Sequence, residues 1–149
     1  SSFKPTVLNP PPPPPPRMPY PRQYGFRAPA PAVPPPPPNA TRVAVASQGS
    51  GGLDDYVSNV FARCPTFTII DVVEGEIKSV KAVPNPVVAQ PRGAGVAAVQ
   101  FLVSVGAKIA IAGRFGPWAA QASQQMGLKL VAAYGLRVRE AVERYVIGK

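Results

Sequence analysis

Arginine next to glycine recurs in the second half of the chain: Arg92 precedes Gly93 and Gly95, and Arg114 lies between Gly113 and Gly116. A third glycine-rich stretch, residues 48–52, holds Gly49 and Gly51. Glycine lets backbone N–H groups come close to a ligand. A helix beginning at Gly93 to Gly95 adds unpaired donors and the positive end of a dipole. With Arg92 and Arg114 supplying charge, these loops suit an anion: phosphate, a nucleotide, RNA backbone or the oxygens of an anionic cofactor. No stretch carries the Gly-Lys-Ser or Gly-Lys-Thr ending of a nucleotide-binding P-loop. The alternative is plain turn geometry, which also needs glycine where a short loop bends tightly.

A second constellation lies near the start. Arg17, Arg22 and Arg27 alternate with Tyr20, Tyr24 and Phe26 in RMPYPRQYGFR. Arginine pairs with phosphate, and both arginine planes and aromatic faces stack on exposed bases. Proline runs on either side lower the ordering cost of laying such a segment along a groove. The same composition also suits a proline-rich ligand for an aromatic-lined protein groove, or a linker with incidental aromatics.

Catalytic chemistry finds little support. The chain has no histidine and one cysteine, Cys64. A single cysteine excludes an intrachain disulfide and fits a reducing compartment. Cys64 precedes Pro65 and a strand-like run, so it reads as a small buried apolar residue and only a weak metal candidate. Residues 53–61 read as a short helix or turn, with Asp54 and Asp55 expected to cap the helix, and Asp71 falls within a strand. A metal-dependent nuclease needs several carboxylates converging on magnesium. The expectation is a protein that binds without catalysing. No run has the length and apolarity of a membrane span, and the start lacks the apolar core of a secretory signal. The expected location is cytoplasmic.

The elements that must position these residues divide sharply. Of 22 prolines, 17 lie within residues 1–38. Residues 1–40 therefore read as an extended, basic, proline-rich tail, with a reach on the order of 100 Å. The formal charge is +9. The tail contributes +4 from Lys4, Arg17, Arg22 and Arg27, leaving +5 on residues 41–149. Such a surplus points to an anionic partner or a solvated surface. The domain reads as strands at 43–46, 66–73, 76–83, 108–112 and 128–132. Helices are expected at 93–105, 117–126 and 138–146, with Glu140 and Arg144 at a favourable i, i+4 spacing. Pro117 and Gly127 mark the ends of the middle helix. The result is an α/β fold: a mixed, roughly five-stranded sheet with an antiparallel hairpin and packed helices. The loops at 48–52, 92–95 and 113–116 should converge at the carboxyl ends of its parallel strands.

Short pieces in a fixed order add a resemblance. They are VAVAS at 43–47, LDDYVS at 53–58, FARCPTFTIIDV at 61–72, GEIKSV at 75–80, NP at 85–86, GAG at 93–95, IAGRFGPWA at 111–119 and VREAVERY at 138–145. Together they are similar to the dinitrogenase iron–molybdenum cofactor biosynthesis family, whose small domains have a ribonuclease-H-like α/β fold. The resemblance implies a carrier or accessory protein. Val60 and Arg92 stand where relatives often have histidine. Ligands for a cluster would then come from a partner, a second copy or the cofactor's own anionic groups. Residues and charge together are read first as a non-enzymatic, ribosome-associated RNA-binding or ribonucleoprotein component. An iron–sulfur or iron–molybdenum-type cofactor carrier is the alternative. A proline-tail scaffold, recruiting a protein partner or self-assembling, is the second.

Overall fold

The computed structural model describes residues 33–148. Alternation in VAVA shapes its centre. Strand β1 (Thr41–Ser47) turns Ala44 and Ala46 to one face and Val43 and Val45 to the other. The alanine face lies under helices α1 (Ala94–Ser104) and α2 (Pro117–Met126). The valine face lies under α3 (Val138–Val142), which continues as a wider π-type turn through Glu143–Ile147. Strands β2 (Thr66–Val73), β3 (Glu76–Pro84), β4 (Ile109–Ala112) and β5 (Lys129–Ala132) complete the sheet. The expected mixed, five-stranded α/β sheet is what forms, in the order β3-β2-β1-β4-β5. β1, β4 and β5 run parallel, and the β2–β3 hairpin joins antiparallel. On the α1/α2 side the core holds Phe67, Ile69, Val99 and Leu102; on the α3 side it holds Ile70, Ile111, Val138 and Val142.

The outer strand β3 is blunted against pairing. Lys78 falls in a bulge, since Val72 faces Ile77 while Asp71 faces Ser79, and the strand ends at Pro84. Pro117 opens α2 and Gly127 closes it with φ 79°, as their positions predict. Glu140 does not reach toward Arg144. Its carboxylate turns back to accept the Arg137 N–H at 2.9 Å and so starts α3.

Among the described residues one charged pair is buried. Arg42 is 2 % exposed and Asp71 4 %. The guanidinium donates Nε and Nη2 to the two carboxylate oxygens, each at 2.8 Å.

Of the short helix or turn expected over residues 53–61, a turn forms at 53–54 and no helix does, so the Asp54–Asp55 helix cap is absent. The Asp55 carboxylate instead accepts N–H bonds from Gly49 at 2.9 Å, Gly51 at 2.8 Å and Tyr56 at 2.7 Å. Asp54 pairs with Arg139 at the surface. The stretch is irregular because its backbone bridges to Ser47, Arg114 and Arg137 in place of itself. Among the described residues no helix is long and apolar enough to cross a membrane.

Candidate functional site

A cleft of about 320 Å³ opens at the carboxyl end of β4. One wall is residues 60–63, the second the start of α1 at Gly93 to Gly95, and the third residues 114–116, 118 and 119 at the start of α2. Two of the three expected loops therefore meet. The third, residues 48–52, is displaced for a visible reason. Ser58 donates its N–H to the Ala46 carbonyl at 2.7 Å and accepts the Gly113 N–H at 2.8 Å. The chain before Val60 thus fills the gap between β1 and β4. Loop 48–52 folds over β2, where Thr66 Oγ1 donates to the Gly49 carbonyl and the Gly52 N–H donates to Thr68 Oγ1. The N–H groups of Gly49 and Gly51 are given to Asp55 and face no ligand site.

The cleft has the electrostatics of an anion site. Helices α1 and α2 both begin beside it, neither is capped by a side chain, and neither has an acidic residue in its first turn. Each end presents backbone donors and the positive end of a helix dipole. Gly95 lets the two ends approach: a Cβ there would stand 3.2 Å from the Ala119 Cβ and 3.5 Å from the Ala119 N. Arg114 lines the cleft, and its guanidinium has no partner among the described residues. Arg63 also lines it but is engaged, donating Nη1 to the carbonyls of Val88 and Gln90. Arg92 is exposed and outside the lining.

The remainder of the lining is apolar: Val60 and Ala62 beside the aromatic Phe61, Phe115 and Trp118. Phe115 packs against Phe61 with ring centroids 5.0 Å apart, and Phe61 packs against Phe67 in the core. Trp118 stands at the rim, 69 % exposed. Sequence reasoning missed Val60 to Arg63 as a wall; the spacing of buried Phe61 and Cys64 was the signal that this stretch enters the core. Arg17, Arg22, Arg27, Tyr20, Tyr24 and Phe26 lie outside the described residues.

Metal-ligating groups are scarce. No cluster of three or more His, Cys, Asp or Glu able to hold a metal occurs among the described residues. Cys64 is fully buried, and Asn85 Nδ2 lies 3.7 Å from its sulfur. Burial pushes its thiol up from 9.0 to about 12, so near neutral pH it offers no thiolate. The unfolded chain therefore loses this proton first. The thiol's contribution to stability is complete below pH 9 and declines as the pH rises toward 12. Denaturation at pH 8 and 10.5 should show this slope, up to about 1.4 kcal/mol per pH unit, in the parent but not in Cys64→Ala.

Comparison with known proteins places this geometry. The model of the family described as dinitrogenase iron-molybdenum cofactor matches residues 41–148. The apo form of the orange protein from Desulfovibrio gigas is 35 % identical, with a TM-score of 0.65 over 72 % of this chain and 88 % of that one. A NifB-designated protein from Thermotoga is also 35 % identical, with a TM-score of 0.60 over 72 % of this chain and 89 % of that one. An uncharacterized protein of Methanocaldococcus jannaschii is 26 % identical over 89 residues, 60 % of this chain and 75 % of its own length.

These likenesses overturn the RNA-binding, ribosome-associated and ribonucleoprotein expectation, which rested on charge and on the Arg/aromatic stretch. The family is one of cofactor proteins. The uncapped donors of the two helices gather at one cleft of small-molecule size.

Proposed function

Because the chain belongs to the dinitrogenase iron-molybdenum cofactor family over residues 41–148, we propose that it is a non-catalytic carrier or accessory protein. Its cargo is an anionic iron–sulfur or iron–molybdenum-type cofactor, held in the α1–α2 cleft. The observation that carries this reading is the meeting of two uncapped, acid-free helix ends and the unpartnered Arg114 at one aromatic-walled cleft.

A cluster ligated by this chain's own side chains does not fit. Iron–sulfur centres need several thiolates or imidazoles. The chain has no histidine, and its one thiol is buried and protonated. Val60, a position for which the family resemblance implies histidine, lines the cleft without a donor. In this reading the cargo arrives with its own ligands, in place of ligands from a partner or a second copy. The protein then supplies N–H donors, a guanidinium and apolar walls that hold and orient it and limit its contact with water.

Trp118 is the only tryptophan and stands at the rim. Its fluorescence should report titration with tetrathiomolybdate, a molybdenum–sulfur dianion that carries its own ligands. Removing a charged hydrogen-bonding partner costs about 1.5–3 kcal/mol, so Arg114→Ala should weaken binding about tenfold or more. Equal affinity for the variant, or tighter binding of Fe²⁺ alone than of the thioanion, would remove this reading.

A further inference from the structure

We infer that residues 33–40 form a clip that fixes the far end of α1 and, through that helix, the donors of the cleft. The inference rests on the cleft being the cargo site. The described residues belong to one compact unit, so the clip is part of the domain. Val33 packs against the core on the α1/α2 side. The Pro34 carbonyl accepts Arg42 Nη1 at 2.7 Å, and the same nitrogen donates at 2.7 Å to the carbonyl of Val105, the residue that ends α1. Pro36 lies on Gly106, the next residue, where a Cβ would stand 2.9 Å from the proline Cδ. Ala40 donates its N–H to the Pro37 carbonyl, turning the chain into β1.

One guanidinium thus joins three elements: the clip, the end of α1 and Asp71 of β2. Its planar fork sets both distance and angle. The helix runs about 16 Å from this junction to the cleft. Its cleft end lacks a side-chain cap. The capped and clipped end therefore fixes the axis along which the free N–H groups point. Loosening the clip lets α1 tilt or fray, and the donors lose their common focus with those of α2.

The full chain carrying Val33→Ser and Pro36→Ser tests this, beside a control with Pro12→Ser and Pro14→Ser. Both are titrated with tetrathiomolybdate, and amide exchange is read by NMR. In the clip variant the Kd should rise about fivefold or more. Amides 97–102 of α1 should exchange faster while those of Ile69 and Ile70 in β2 stay unchanged. The control should match the parent. Unchanged affinity and unchanged α1 exchange in the clip variant would overturn the clip. If the parent itself fails to bind the thioanion, the cargo reading fails. The exchange data then decide the clip alone: selective loss at 97–102 supports it, and uniform or absent change overturns it.

Discussion

Replacing Arg42 by alanine should lower folding stability by about 3–5 kcal/mol, because one partner of a buried ion pair would be left alone. Asp71 is 4 % exposed, and its two oxygens take their guanidinium bonds from Arg42. The carbonyls of Pro34 and Val105 lose their donor at the same time. Domains of this size hold only about 5–15 kcal/mol in total, so the variant should melt far below the parent. The effect belongs to the orphaned charge more than to the attraction itself. Arg42→Met combined with Asp71→Leu should therefore recover much of the loss. Chemical denaturation of the parent, Arg42→Met, Asp71→Leu and the pair completes the cycle. A loss under about 1 kcal/mol for Arg42→Ala would show that water reaches the pair.

Gly113→Ala should be the most damaging single change at the cleft. The added Cβ would stand 2.7 Å from the Asn59 Cα and 2.8 Å from its carbonyl oxygen. Both obstacles are backbone, so no rotamer change relieves the overlap. The contact is also pinned, since Gly113 donates its N–H to the Ser58 carbonyl and Arg114 bridges to Val60. Either β4 or the 58–60 segment must shift, at roughly 1–3 kcal/mol. That shift carries Val60 and Arg114 with it, and both line the cleft. Thioanion affinity should fall about tenfold or more, as small displacements of positioning groups do. Gly116→Ala is the matched control. Its φ is −74° and nothing lies within 4 Å of the added atom, so stability should stay within about 0.5 kcal/mol of the parent. Thermal melts of the two variants make the stability comparison, and a Trp118 titration of Gly113→Ala against the parent reads the affinity. Equal losses of stability from both would mean that the 58–60 contact does not hold the wall.

The contrast between these glycines shows what was readable in the chain. Periodicity placed every strand, because VAVA and TFTIIDVV leave few alternatives, and Pro117 and Gly127 set the ends of α2. The order of elements implied the parallel neighbours. Asp55 and residues 57–60 were opaque for a physical reason. Their bonds go to partners distant in sequence, and local propensity is silent about such bonds. A pair of aspartates before an apolar run looks like a helix cap, yet Asp55 spends its oxygens on loop 48–52. That one choice removed Gly49 and Gly51 from the site. Gly93, Gly95 and Arg114 were legible because helix ends and their charges are local features. Arg92 looked equivalent and stands aside. The RNA expectation failed because net charge carries no information about where donors converge.

We propose that the α1–α2 cleft holds an anionic cargo without a metal ligand from this chain. Amide and indole NMR shifts of the full chain during tetrathiomolybdate titration test it most directly. The largest shifts should fall on Gly93 to Gly95, on Arg114, and on Trp118 and Ala119, with a Cys64→Ala variant giving the same map and affinity. Shifts centred elsewhere, such as on loop 48–52, or loss of binding with Cys64, would contradict it.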